Sequence, residues 1–118
     1  MTTIYFAEDD EVLAQVLQWR LQKLGYTVVG SAPSGEAAID GIERTKPDLV
    51  ILDIELKGDM DGIQVGEHLS KTMKIPFIYL TSHTEEDFIQ RAKKTGPKGY
   101  VRKPLIGDEL RVALTMAL

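Results

Sequence analysis

Apolar and polar positions follow two rhythms along this chain. Short, nearly unbroken apolar runs such as Ile4-Tyr5-Phe6-Ala7, Leu49-Val50-Ile51-Leu52 and Phe77-Ile78-Tyr79-Leu80 are separated by longer stretches with helical spacing. The alternation occurs five times, strand first. It predicts strands at 3–7, 27–31, 48–52, 76–80 and 98–102, and helices at 10–24, 35–45, 62–73, 84–95 and 107–117. Strand and helix in strict alternation are the pattern of a parallel sheet with crossover helices, an α/β fold. Runs one, three and four are apolar at nearly every position, which predicts central strands covered on both faces.

The punctuation agrees with this division. Gly25 closes the first helix, Pro33-Ser34-Gly35 opens the second, and Thr84 with Asp87 three residues on resembles a capping box. Pro47 and Pro76 stand just before strands, where a missing amide proton does no harm. In the first helix Leu13, Leu17, Leu21 and Leu24 form one arc that faces the sheet, while Val12, Val16 and Trp19 extend it beyond a normal core stripe. That flank is either a partner-docking patch or a surface covered by a neighbouring helix, the last one being the candidate.

Length and composition narrow the class. The 118 residues make a single domain, 1–118, with no repeat or linker. With 43% hydrophobic and 27% charged residues the chain has a globular composition. No apolar run reaches membrane-helix length, and the start carries no secretory signal. Zero cysteines exclude disulfides and thiol catalysis, and fit a cytoplasmic protein. A net charge of −4 argues against nucleic acid as the main partner, and the late basic group Arg91, Lys93, Lys94, Lys98, Arg102 and Lys103 is read as a solvated face.

The chemistry sits where the apolar runs end. Glu8 and Asp9 follow the first run, Asp53 the third, Thr81 and Ser82 the fourth, and Lys103 with Pro104 the fifth. In a parallel sheet these groups leave at the carboxyl edge, where open α/β sheets place their ligands. Three carboxylates supply hard oxygen ligands of the kind magnesium takes, and without a cation they repel one another. Zinc is disfavoured, since His68 and His83 lie on different elements. Asp53 stands alone on the most apolar strand and is the candidate nucleophile for an acyl phosphate, with Thr81 and Lys103 positioned to engage phosphoryl oxygens. Asp10 reads as a first-turn acid favoured by the helix dipole, Asp61-Gly62 as a turn that starts a helix, and His68 as surface.

Five motifs in order then carry a resemblance across the whole chain: Ala-Glu-Asp-Asp at 7–10, Pro-Asp-Leu-Val-Ile-Leu-Asp at 47–53, Met-Asp-Gly at 60–62, Ile-Tyr-Leu-Thr-Ser at 78–82 and Gly-Tyr-Val-Arg-Lys-Pro at 99–104. The sequence resembles the receiver domains of two-component response regulators. That resemblance implies a doubly wound (βα)5 fold with the flavodoxin-like strand order 2-1-3-4-5. It also implies Asp53 as phosphoacceptor, Glu8 and Asp9 as the acidic magnesium pair, and Glu55 as a magnesium ligand through its backbone carbonyl. Thr81 becomes the switch hydroxyl, Lys103 the active-site lysine, Tyr100 the aromatic that turns inward behind Thr81, and Lys103-Pro104 a cis peptide.

The implied function is a signalling module rather than a turnover enzyme. It takes a phosphoryl group from a histidine kinase or histidine phosphotransfer protein, docked near Val12, Val16 and Trp19, and remodels the face of the fourth helix and fifth strand. Phosphorylation-dependent homodimerisation through that face is a further expectation, and static packing is the alternative role for Tyr100. The segment Glu55 to Gly62 is one residue longer than usual in that family, Lys57 stands near a frequent proline, and Pro97 follows Gly96. Glu55 and His83 fall at the positions that flank the water's path to the acyl phosphate. An aspartate-dependent phosphatase, a degenerate receiver and a flavin-binding module are the competing classes. The first draws only on Glu55 two residues after Asp53, and the last lacks a phosphate-cradling loop after the first strand.

Overall fold

The apolar runs become five strands, β1 (Thr3–Ala7), β2 (Thr27–Ala32), β3 (Leu49–Asp53), β4 (Phe77–Thr81) and β5 (Gly99–Arg102). They pair parallel throughout in the order β2-β1-β3-β4-β5. This is a computed structural model, and it describes residues 1–82, 86–105 and 107–118. The helices are α1 (Glu11–Lys23), α2 (Gly35–Thr45), α3 (Gly62–His68), α4 (Glu86–Lys94) and α5 (Glu109–Ala117). The predicted helix at 62–73 divides: after His68 the chain widens into a π-type segment, Leu69–Met73, closed by an amide bond from Lys74 back to Leu69 O at 2.7 Å.

Strand alternation sorts the side chains onto two cores. Tyr5, Val50, Leu52, Phe77 and Tyr79 face α2 and α3, while Ile4, Phe6, Ile51, Ile78 and Leu80 face α1 and α5. Every residue of β3 and β4 is buried, as the continuous apolar runs require of central strands. In α1, Leu17 and Leu21 are fully buried against this sheet, each worth roughly 1.5–3 kcal/mol by transfer. Leu13 is half-buried, and Leu24 is 38% exposed because it is already the C-cap, where the chain turns through Gly25 at φ 94°.

Helix starts follow local chemistry. Ser34 caps α2 by accepting the Ala37 N–H. Asp10 is not a first-turn residue: it is the N-cap of α1, and its Oδ1 accepts from Val12 and Leu13 N–H at 2.9 and 3.1 Å. Asp61 caps α3 in a reciprocal capping box with Gln64. The expected box at Thr84 lies outside the described residues, as does His83. His68, read as surface, is half-buried with Nε2 3.7 Å from Glu43 Oε1 of α2. At the amino edge of the sheet, Lys46 and Lys74 turn the chain in left-handed conformation at φ 46° and 53° before β3 and β4.

Val12, Val16 and Trp19 are 71%, 40% and 59% exposed, so no helix among the described residues covers that flank. The Lys23 ammonium lies over the Trp19 ring, 4.9 Å from its centroid. Beside it, Trp19 and Arg20 line a cleft of about 170 Å³ with Gly107 and Arg111 at the start of α5. No helix is long and apolar enough to cross a membrane among the described residues.

Candidate functional site

Register brings the acids together. Ala7 of β1 pairs with Leu52 of β3, so Glu8 and Asp53 are the next residues on adjacent strands. Thr81 ends β4, and Lys103 follows β5, its amide donating to Thr81 O at 2.9 Å. Glu8 and Asp53 are only 4% and 2% exposed and Thr81 1%, because the site is a notch in the sheet edge rather than an open surface.

One ammonium serves two carboxylates in that notch. Lys103 Nζ lies 3.1 Å from Glu8 Oε1 and 2.9 Å from Asp53 Oδ2. The other oxygens are held by backbone: Glu8 Oε2 accepts the Asp10 N–H at 3.0 Å, and Asp53 Oδ1 accepts the Glu55 N–H at 3.1 Å. Beyond the lysine, Glu8 Oε1 and Asp53 Oδ2 are buried without a hydrogen-bond partner among the described residues. Burial pushes the Asp53 pKa up to about 7, with the Glu8 charge adding to the rise and Lys103 opposing it. Burial disfavours the Lys103 charge in turn, but Asp53 and Glu8 outweigh it and hold its pKa above the usual lysine value.

These residues fit a hard divalent cation. Glu8, Asp9 and Asp53 each offer a carboxylate oxygen, all within 4.8 Å of one another. Three acids thus face one ammonium, and two of the buried oxygens are short of donors. The notch is suited to taking up positive charge and then a charged oxyanion group.

A family model for the response regulator receiver domain matches residues 4–115. The chain belongs to that family. It is 31% identical over 115 residues to the transcriptional regulatory protein PdtaR of Mycobacterium tuberculosis, covering 98% of this chain and 56% of that one. The chain spans about half the length of the curated relatives it matches. Among solved structures it resembles the signal receiver domain of a modulated diguanylate cyclase from Desulfovibrio desulfuricans G20, with TM-score 0.92, 33% identity, and coverage of 99% of this chain and 93% of that one. It also resembles the BeF3-activated receiver domain of Klebsiella pneumoniae RstA, with TM-score 0.89, 31% identity, and coverage of 98% and 97%.

Phosphorylation and magnesium are typical of receiver domains, which interact with histidine kinases or phosphotransfer proteins. In this receiver the predicted residues Glu8, Asp9, Asp53 and Lys103 meet, with Thr81 at the adjoining strand end and the Glu55 amide on Asp53. The Lys103–Pro104 peptide is cis. Tyr100 is not at the notch: it pairs with Tyr79 on β5, 37% exposed, between a groove of about 390 Å³ shared with Ile89 and Lys93 of α4 and another lined by Glu109 and Val112 of α5.

Gly62 has a part that the sequence left unread. Its N–H donates to Ile54 O at 2.8 Å, and a Cβ on it would lie 2.0 Å from the carbonyl oxygen of Asp53. The loop after β3 therefore closes directly against the backbone of Asp53. A glycine opening a helix nine residues after the acid is a visible signal, but only the fold shows which backbone it approaches.

Proposed function

We propose that this receiver accepts a phosphoryl group on Asp53 from the phosphohistidine of a histidine kinase or histidine phosphotransfer protein. The observation that supports it most directly is the buried Asp53 carboxylate held between Lys103 and the Glu8–Asp9 pair. An Asp53 carboxylate oxygen attacks phosphorus, the phosphorus–nitrogen bond breaks, and the imidazole leaves with the bonding pair, yielding an acyl phosphate. Glu8, Asp9, Asp53 and the backbone carbonyl of Glu55 would hold magnesium, which when bound would neutralise charge between the approaching anions. Lys103 is placed to accompany the phosphoryl oxygens and Thr81 to donate its hydroxyl to one of them.

The readout follows from the same strands. Thr81 drawn towards the acyl phosphate vacates space behind it, Tyr100 turns inward, and the face of α4 and β5 changes shape. Val12, Val16 and Trp19 form the docking patch for the phosphodonor, an exposed aromatic and aliphatic surface beside the notch. The activated face pairs two copies, with Lys93 on one side of Tyr100, Asp108 and Glu109 on the other and Lys98 lining both grooves, offering complementary charge. The setting is cytoplasmic, where such donors act.

Intact mass after incubation with magnesium and acetyl phosphate tests the acceptor. One added phosphoryl group is expected, lost in Asp53→Ala and in the presence of a chelator. An adduct that survives Asp53→Ala would place the chemistry elsewhere.

A further inference from the structure

The N-terminus of α3 touches two things at once. Through Gly62 it lies against the Asp53 carbonyl, and through Asp61 it reaches α4. The Asp61 carboxylate divides its oxygens: Oδ1 accepts the Gln64 N–H of the capping box at 2.9 Å, and Oδ2 lies 3.2 Å from Arg91 Nη2. Arg91 is steadied by the Phe88 ring, its guanidinium carbon 5.9 Å from the ring centroid.

One turn beyond Arg91, just past the C-terminal end of α4, the attachment is of a different kind. The Tyr79 hydroxyl is bonded to the Thr95 hydroxyl at 2.6 Å in the core, Thr95 bonds back to Ala92 O, and the Ser70 hydroxyl bonds Thr95 O. The two bonds of the Thr95 hydroxyl are buried and costly to break, and the Ser70 bond is part-buried. The Arg91–Asp61 pair has side chains 50% and 31% exposed, and water replaces it at little cost. α4 thus has a fixed attachment to the sheet and a releasable one to α3.

We propose that Asp61 and Arg91 form a latch that couples the backbone at Asp53 to α4 and favours the arrangement of α4 described above over the phosphorylated one. The latch rests on the phosphoacceptor reading and adds a second route from Asp53 to the output face, one that runs through the loop after β3 and the start of α3 and not through Thr81 and Tyr100. Because the pair is made in this arrangement and lengthens if α4 shifts against α3, it opposes the shift. By reciprocity, whatever opposes the shift also weakens binding of a phosphoryl mimic at Asp53.

The test is a double-mutant cycle on the magnesium-dependent affinity for beryllofluoride. Asp61→Asn keeps the cap while removing the charge, and Arg91→Met keeps the stem on Phe88. Each is expected to tighten binding roughly two- to fourfold, and the double variant to bind no tighter than the better single one. Amide exchange without beryllofluoride is expected to quicken in α4 and not in α2. Wild-type affinity in both variants, additive effects in the double, or faster exchange in α2 as well as α4 overturns the latch alone. Failure of the wild-type protein to bind beryllofluoride overturns the phosphoacceptor reading, and the latch with it.

Discussion

On the proposed reading Asp53 is both a buried acid and a nucleophile, and these demands conflict. A carboxyl with 2% exposure and a pKa near 7 holds its proton at a pH where attack needs the anion. Below about pH 4 it is protonated whether the chain is folded or not. Between about pH 4 and about 7 the unfolded chain ionises it while the folded one does not, so folding stability falls as pH rises through that window. In magnesium-free buffer, urea unfolding of wild type against Asp53→Asn should show the wild type losing ground on the order of a few kcal/mol over those units, with magnesium restoring most of it. A difference that is constant with pH would contradict the raised pKa. Glu8 contributes to that strain and is fixed by the Asp10 amide, so Asp10 both caps α1 and orients the Glu8 carboxylate.

At the scale of elements, α1 carries two unlike faces. Leu17 and Leu21 anchor it to the sheet, and Val12, Val16 and Trp19 face outward along a flank that begins one turn after Asp9 and runs on for two more. If that flank receives the phosphodonor, Trp19→Glu should slow transfer from the cognate phosphohistidine protein at least tenfold by rapid-quench measurement and leave labelling by acetyl phosphate unchanged. Equal losses with both donors would mean damage to the site instead. The helices and strands were largely legible because β1, β3 and β4 read as continuous apolar runs, with acids at the ends of β1 and β3 and hydroxyls at the end of β4. What hydropathy could not reveal is pairwise: the sharing of Lys103 between Glu8 and Asp53 and the reach of Arg91 to Asp61 join segments far apart in sequence, and the approach of Gly62 to Asp53 depends on how a nine-residue stretch folds back. The Asp61–Gln64 capping box was readable from its spacing, and the π-type turn after His68 was not, since its residues suit an ordinary helix equally well.

The molecule as a whole is polarised. Parallel strands send every reactive side chain to one edge, and the α4–β5–α5 side offers basic and acidic flanks around Tyr100. Light scattering should show the mass doubling when magnesium and beryllofluoride are added, and reversal of Lys93 and Lys98 to Glu should keep the protein monomeric while beryllofluoride still binds. A monomer under all conditions would limit the face to other partners. The same polarity has a practical side. The turn through Lys46 and Pro47 lies at the end of β3 away from Asp53, with the whole five-residue strand, some 16 Å of extended backbone, between them. A fluorophore or surface tether attached at that bend would report on this receiver from behind, leaving its working rim open to visitors.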